Sequence, residues 1–388
     1  MLSDQALPII EATLPLVAER LPAITPNFYA RMFTAHPELF DGLFSRSNQK
    51  NSTQQQALAG SIAAFAGHLV KNPDSIPETV LVRIAHKHAS LGITEDQYPI
   101  VYKYLFEAIA EELADVITED IANAWSEVYW LMAHALVKIE KGLYAAAAND
   151  RPFQPWRVVG KQSAGINSMT FTLEAADETP VSPAAPGQFV SVKVRMPDGI
   201  FQVRQYSLHS GSQDQRRVFT TKIDTDGEVS PVLHNSVQVG DVLQLSNPYG
   251  DVTLGAGDHP LILASAGIGC TPTASILRSL VESESSREVL VLHADQGLDN
   301  WALQKQMSDD IASLDSATLQ LWLERPEEGS NEGFMSLANL DIPADASVYL
   351  CGPLPFMKSI RSQALATGIP AERIHYEVFG PDLWLASA

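Results

Sequence analysis

His88 lies four residues after Ile84 and seven after Leu81, which places it on their apolar helix face. His86, two residues earlier, turns roughly 200° away. A neutral imidazole on such a face suits a haem iron, provided its second ring nitrogen finds an oriented acceptor. A satisfied core histidine explains the position when it is taken alone. Its company argues for chemistry. Glu140 shares an apolar face with Leu136 and Leu143, a poor place for an unpaired carboxylate. Tyr98 opens the apolar face of its own helix, and a buried Tyr–Glu pair could hold a histidine ring and increase its donation to iron. Gln54, one turn before Leu58, and Tyr29 interrupt two further apolar faces. A frayed helix end and an ordinary core tyrosine account for those two singly; together the groups suggest a polar pocket in an apolar shell.

A second constellation is Arg204-Gln205-Tyr206-Ser207. Here an arginine can hold a phosphate, an aromatic can stack on a ring system and a hydroxyl can bond a ring nitrogen. An ordinary alternating strand fits the same four residues. A third is Gly267-Ile268-Gly269-Cys270-Thr271-Pro272, between the buried run LILASAG and the helical TASILRSLVES. Glycines there let backbone approach a dinucleotide, and the helix N-terminus favours its phosphates.

The elements carrying these groups fall into three textures. Residues 1–147 repeat at helical spacing throughout, through Leu58, Ile62, Phe65 and Leu69 and later Trp125, Tyr129, Met132, Leu136 and Leu143. Thr25-Pro26 reads as a helix start, with proline at the first helical position. Thr94-Glu95-Asp96-Gln97 reads as a capping box before Tyr98. AAAANDRPFQP then breaks the pattern as a linker. Over 151–256 the runs WRVVGKQ, MTFTLEA, GQFVSVKVRM, RQYSLHS, RVFTTKI and DVLQLSNPYGDVTL imply an antiparallel sheet or small barrel. Over 257–388 the near-continuously apolar runs LILASAG, EVLVLHA, TLQLWLE and SVYLCG alternate with helical stretches, implying a parallel, nucleotide-binding α/β sheet.

Composition bounds the function classes. At 388 residues two or three domains are expected, and 45% hydrophobic with 19% charged residues describes a globular chain. The net charge of -20 argues against a nucleic-acid or anionic-membrane partner. The N-terminus has neither the basic start nor the apolar core of a signal peptide, and no stretch is long enough to span a bilayer. The two cysteines, Cys270 and Cys351, match no metal spacing and suggest no disulfide framework, leaving the cytoplasm as the expected location.

The helical part resembles bacterial globins of the flavohaemoglobin family in NFYARMF, HPELFDGLFSRSNQ, QQQALAGSIAAFA, IAHKHASLGI, EDQYPIVYKYL and AWSEVYWLMA. The resemblance implies His88 as proximal haem ligand, with Tyr98 and Glu140 as its hydrogen-bonded pair. It sets Phe44 on the porphyrin, Lys87 at a propionate, and Tyr29, Gln54 and Leu58 facing bound oxygen. RQYS resembles the R-x-Y-S/T signature of the ferredoxin–NADP reductase superfamily, with PGQFV, GEVSPVLHN and GDVLQLSNPYGD in the expected order. That implies a six-stranded antiparallel FAD-binding barrel, with Arg204 on the phosphates, Gln205, Tyr206 and Ser207 along the flavin, and Val229 and Ser230 near the pyrophosphate. Phe189 stands where a tyrosine is frequent, keeping the aromatic surface without the hydroxyl. Cys351-Gly352-Pro353 resembles the family's C-G-P motif beside the nicotinamide. Its cysteine reads as a contact residue, since no nearby base favours a thiolate. Glu377-Val378-Phe379-Gly380-Pro381 matches the closing segment whose aromatic packs on the flavin. Cys270 replaces a residue that varies in the family.

A multidomain chain is therefore expected: all-α globin (1–147), antiparallel β-barrel FAD domain (151–256) and α/β NAD(P)H-binding domain (257–388). Its cofactors would be haem b, FAD and NADH or NADPH. Its activity would be oxidation of nitric oxide with O2 to nitrate, by a cytoplasmic monomer. Reduction of alkyl or lipid hydroperoxides is an alternative on the same parts, and an O2/NO-binding sensor a third. A lipid in the distal pocket and the preferred nicotinamide stay open.

Overall fold

The computed structural model describes residues 1–44, 46, 52–211 and 215–382. Residues 45 and 47–49 of the HPELFDGLFSRSNQ stretch lie outside them. Two compact units emerge: Met1–Pro152 with Arg195–Val203 and Pro381–Ala388, and Phe153–Val194 with Arg204–Gly380.

The first unit is built on α1 (Ala6–Ala35), α2 (Thr53–Lys71), α3 (Glu78–Leu91), α4 (Tyr98–Glu112) and α5 (Glu119–Ala146). The helix start expected at Thr25-Pro26 does not exist, because α1 runs straight through Pro15, Pro22 and Pro26. An interior proline costs about 3 kcal/mol, but burying one large apolar side chain returns about 1.5–3 kcal/mol. The helix buries Ile10, Val17, Leu21, Ile24, Phe28, Tyr29 and Met32, so packing overrides the local signal. Thr25, instead of capping, donates its hydroxyl back to the Leu21 carbonyl at 3.0 Å. The Thr94–Gln97 capping box is present and leads through one 3-10 turn into α4. α1 packs on α2, α4 and α5, while α3 lies along α5. That last pairing sets His88 opposite Glu140.

Two six-stranded sheets follow the helices, most of their residues belonging to the second unit. The first comprises β1 (Gln154–Ser163), β2 (Ser168–Ala175), β3 (Phe189–Arg195), β4 (Phe201–Ser207), β5 (Arg217–Lys222) and β6 (Val242–Leu245), with the short helix α6 (Val229–Asn235) between β5 and β6. Its order is β4-β3-β6-β1-β2-β5, and β1 pairs antiparallel with both β2 and β6. The two edges meet at one antiparallel bridge, Leu208 with Phe219.

The second sheet comprises β7 (Leu261–Ala266), β8 (Val289–Asp295), β9 (Ala317–Leu323), β10 (Asn331–Glu332), β11 (Ser347–Cys351) and β12 (Ile374–Glu377). Helices α7 (Cys270–Glu282), α8 (Gln304–Ala312) and α9 (Leu354–Ala366) join them. All five neighbouring pairs are parallel, in the order β10-β9-β8-β7-β11-β12. The chain moves one way from β7 through β8 and β9, then returns to β7's other side as β11. The carboxyl ends of β7 and β11 therefore flank a topological switch point, where open α/β sheets take their ligands.

Candidate functional site

In the helical unit, α3, α4 and α5 converge on one carboxylate. His88 Nδ1 lies 2.8 Å from Glu140 Oε1, and the Tyr98 hydroxyl donates to the same oxygen at 2.6 Å. Tyr98 and Glu140 are buried, while the His88 side chain keeps 32% of its surface. Glu140 Oε1 accepts from both neighbours, so the His88 ring carries its proton on Nδ1 and leaves Nε2 as the lone-pair nitrogen. Burial, then the charge of Glu140, pushes the Tyr98 phenol well above its ordinary value, so it stays a donor. Tyr129, which the motifs did not single out, donates its hydroxyl to the Tyr98 carbonyl at 2.7 Å and steadies the start of α4.

Tyr29 and Gln54 also meet. The Tyr29 hydroxyl and the Gln54 side chain share a hydrogen bond, and burial holds the phenol protonated. Phe44 stands edge-on to Tyr29 at 6.0 Å between ring centroids. Phe44, Leu58, Ile62 and Ile84 pack on the core yet stay only partly buried. Lys87, next to His88, is half-buried. A part-exposed histidine whose Nδ1 is engaged, in a unit that also offers partly buried apolar side chains, has the chemistry of a haem ligand, so these residues fit the group.

In the antiparallel sheet, Ser207 is 3% exposed and its Oγ has no hydrogen-bond partner. A hydroxyl orphaned at the end of β4 is the feature a flavin ring nitrogen or carbonyl would satisfy. Tyr206 stacks on Phe219 at 5.1 Å with the rings 11° apart, and burial raises its phenol. Gln205 donates to Ser191 Oγ at 3.0 Å, tying β4 to β3. Arg204 is part-buried on the same strand. Phe189 is buried beside the backbone of Gly250. Val229 is buried at the start of α6, whereas Ser230 Oγ accepts from the Asp224 N–H at 2.9 Å and is engaged in its own turn.

At the switch point Gly267–Gly269 forms a 3-10 turn between β7 and α7. A Cβ on Gly269 would run into the Cys351 carbonyl, and one on Gly352 would sit 3.1 Å from Ala266 Cβ. The two turns abut so closely that only glycines fit, which is how backbone comes to line the crevice. Thr271 and Pro272 are buried in the first turn of α7. Cys351 pairs in register with Glu377, and burial followed by that carboxylate drives its thiol well up, so it is no nucleophile. Cys270 donates its Sγ to the Ala302 carbonyl at 3.2 Å and faces the core. Phe379 is 45% exposed just past β12, followed by Gly380 and Pro381 and preceded by Val378.

The motifs missed a buried row beside this crevice. Ser265 Oγ lies 2.9 Å from His293 Nδ1, His293 Nε2 lies 3.6 Å from Asp295, and the imidazole stacks on Trp301 at 4.8 Å. His293 is fully buried, so no substrate reaches it; the row ties the ends of β7 and β8. A histidine inside the apolar run VLVLHA was the available signal.

These sites define an oxidoreductase in which a nucleotide-binding reductase shares its chain with a globin-type pocket. Family models agree: Globin matches residues 26–136, Oxidoreductase FAD-binding domain 155–254 and Oxidoreductase NAD-binding domain 263–362. Flavohemoprotein of Rhizobium meliloti is 36% identical, covering 99% of this chain and 100% of its own. Flavohemoprotein of Bacillus subtilis is 35% identical, with 100% of each chain covered. The crystal structure of flavohemoglobin from Malassezia yamatoensis, with bound FAD and heme, has a TM-score of 0.94 and 42% identity, covering 98% of this chain and 100% of that one. The flavohem-like FAD/NAD binding domain of nitric oxide dioxygenase from Vibrio cholerae has a TM-score of 0.56 and 34% identity, covering 59% and 99%. The chain belongs to the flavohaemoprotein family. Among the described residues no helix is long and apolar enough to cross a membrane.

Proposed function

We propose that this chain is an NAD(P)H-dependent nitric oxide dioxygenase, oxidising nitric oxide with oxygen to nitrate. The observation that carries the reading is the His88–Glu140–Tyr98 triad on one chain with FAD- and NAD-binding domains. When bound, haem supplies an oxygen-binding iron, FAD splits a hydride into single electrons, and NADH or NADPH supplies that hydride. His88 would hold the iron through Nε2, and Glu140 would fix its tautomer and raise its basicity. Phe44 would pack on the porphyrin and Lys87 would meet a propionate. The Tyr29 hydroxyl would donate to substrate oxygen in the pocket, Gln54 would orient that hydroxyl, and Leu58 would exclude water.

In the reductase half Arg204 would take the FAD phosphates, with Val229 and Ser230 near the pyrophosphate. Gln205 would steady β4, while Tyr206, Ser207 and Phe189 would frame the flavin. Gly267, Ile268, Gly269, Cys270, Thr271 and Pro272 would form the nicotinamide crevice with Cys351, Gly352 and Pro353. Glu377, Val378, Phe379, Gly380 and Pro381 would close it beside the flavin. We take the domains as 1–147, 151–256 and 257–388, and the antiparallel sheet as a barrel closed at Leu208–Phe219. The protein would act as a cytoplasmic monomer without a nucleic-acid partner.

The test is nitric oxide consumption in air by haem- and FAD-loaded protein with NADH, scoring nitrate. Fast NADH-dependent loss, abolished in His88→Ala, is expected. No consumption by protein whose flavin NADH reduces would overturn the reading. A second reading, hydroperoxide reduction, draws on the Glu140 contact itself, because a strongly donating histidine favours O–O cleavage. Turnover of an alkyl hydroperoxide in place of nitric oxide would establish it.

A further inference from the structure

Between β6 and β7 the chain crosses from the antiparallel sheet to the parallel one, through residues 246–260. Near its start this segment is held to Phe189, which would frame the flavin: Phe189 and Tyr249 exchange backbone hydrogen bonds at 2.8 and 2.9 Å. Farther along it is held from the parallel sheet. The Tyr349 hydroxyl accepts from the Gly255 N–H at 2.9 Å and donates to the Thr253 carbonyl at 3.2 Å. Tyr349 is 5% exposed, belongs to β11, and stacks on His375, its register partner on β12, at 4.9 Å between ring centroids. Two residues after it comes Cys351, whose carbonyl abuts the Gly269 turn. One phenol thus joins the segment that runs to Phe189 with the strand whose end forms the crevice. Arg287 grips the same segment from elsewhere. It precedes β8 by two residues, at the amino end of the sheet, and donates to the Gly255 carbonyl at 3.1 Å and the His259 carbonyl at 2.9 Å.

The chemistry of the residue suits the post. A phenol carries one O–H donor and acceptor lone pairs, so it serves a carbonyl and an N–H at once. Its ring is rigid and turns about only two side-chain torsions, so it sets the distance between its strand and its partners. Hydride transfer needs reacting atoms about 3–3.5 Å apart, and a shift of about 1 Å can cost ~100-fold in rate. A link of fixed length beside the crevice is what that requirement calls for.

We propose that Tyr349 is a positioning residue for hydride transfer, its hydroxyl fixing the β11 side of the nicotinamide crevice against the segment that runs to Phe189 and the flavin. This rests on reading the C-terminal half as an NAD(P)H–FAD reductase. The test is anaerobic stopped-flow bleaching of the flavin by NADH in the full holoenzyme, with Tyr349→Phe, Arg287→Met and Gly187→Ala. Tyr349→Phe keeps the ring and its stack on His375 but loses both hydrogen bonds. We expect it to lower the limiting rate by ~10-fold or more, with FAD content and half-saturating NADH within about twofold. The long-wavelength charge-transfer absorbance of stacked nicotinamide and flavin should weaken with it. Arg287→Met loosens the same segment but leaves the phenol in place, so it should lower the unfolding temperature and keep the limiting rate. An unaltered limiting rate in Tyr349→Phe, or an equal loss in Arg287→Met, overturns the proposal. Gly187→Ala carries the test should Tyr349→Phe fail to fold. Its Cβ would push the Val252 carbonyl, and Thr253 with it, off the phenol, so an unaltered limiting rate there overturns the proposal too. Unaltered protein whose flavin NADH does not bleach would bring down the reductase reading, and this proposal with it.

Discussion

Glu140 Oε1 lies 2.8 Å from His88 Nδ1, joining two helices through a single carboxylate oxygen that also receives the Tyr98 hydroxyl. Two different substitutions separate the charge of this group from its hydrogen bonding. Glu140→Gln keeps an acceptor but removes the negative charge, so His88 becomes a weaker donor. Haem-loaded Glu140→Gln is expected to retain haem and show a higher reduction potential. Glu140→Leu removes the acceptor as well and orphans the buried Tyr98 hydroxyl, at about 1–3 kcal/mol of stability. Spectroelectrochemistry and denaturant unfolding check the two arms; an unchanged potential in Glu140→Gln would refute the electronic role.

Ser207 makes a prediction with opposite signs in two states. Its Oγ is buried without a partner, so in flavin-free protein Ser207→Ala removes an unsatisfied group. Thermal unfolding of flavin-free Ser207→Ala should match or exceed that of the unaltered protein. FAD binding should weaken, by about 1 kcal/mol or roughly five- to tenfold in Kd, through the lost hydrogen bond. Fluorescence titration with FAD measures the second effect; equal affinity would remove Ser207 from the flavin site.

Much of this was legible in the residues, and the exceptions have physical causes. His88 and Glu140 betrayed themselves because a polar group on an apolar helix face must have a partner, although their pairing needed α3 to lie along α5. The glycine turns could be read because close backbone approach leaves few other residues possible. His209 was invisible, since its partner Thr220 sits on another strand and nothing local marks the contact. Pro26 misled for the reverse reason: its local signal is strong, but the buried face of α1 outweighs it. Ser230 shows a third case, with a motif serine that spends its hydroxyl on the adjoining turn.

His209 also sets an acid limb. Burial pushes its imidazole down from 6.5 to about 4, with the Gln306 hydrogen bond opposing. Between those values the unfolded chain binds a proton that the folded chain refuses, so stability rises with pH across this window. The contribution is fully present above about pH 6.5 and is lost as pH falls towards 4. Its size is about 3 kcal/mol at most. Burial of His293 acts in the same direction. Urea unfolding from pH 7 to 4.5 should therefore fall less steeply in His209→Gln than in unaltered protein. Parallel curves would place the titration elsewhere.

Gly269 offers the sharpest test of the crevice. A methyl group there meets the Cys351 carbonyl, which belongs to the adjoining turn and cannot rotate aside. Gly269→Ala must push the β7–α7 and β11–α9 turns apart, and overpacking of this kind costs about 1–3 kcal/mol. The damage falls on the switch point, while Ser207 and the His88 triad lie on other elements. FAD and haem content should hold while half-saturating NADH rises at least tenfold in flavin-reduction assays. Gly267→Ala gives a contrast within the same turn. An added Cβ at Gly267 meets nothing within 4 Å, but the φ of +54° strains any L residue. Its cost is conformational, so it should lower stability with a smaller effect on NADH saturation. If the two variants behave alike, the turn acts through its overall fold, and the close approach at Cys351 has no separate role in nicotinamide binding.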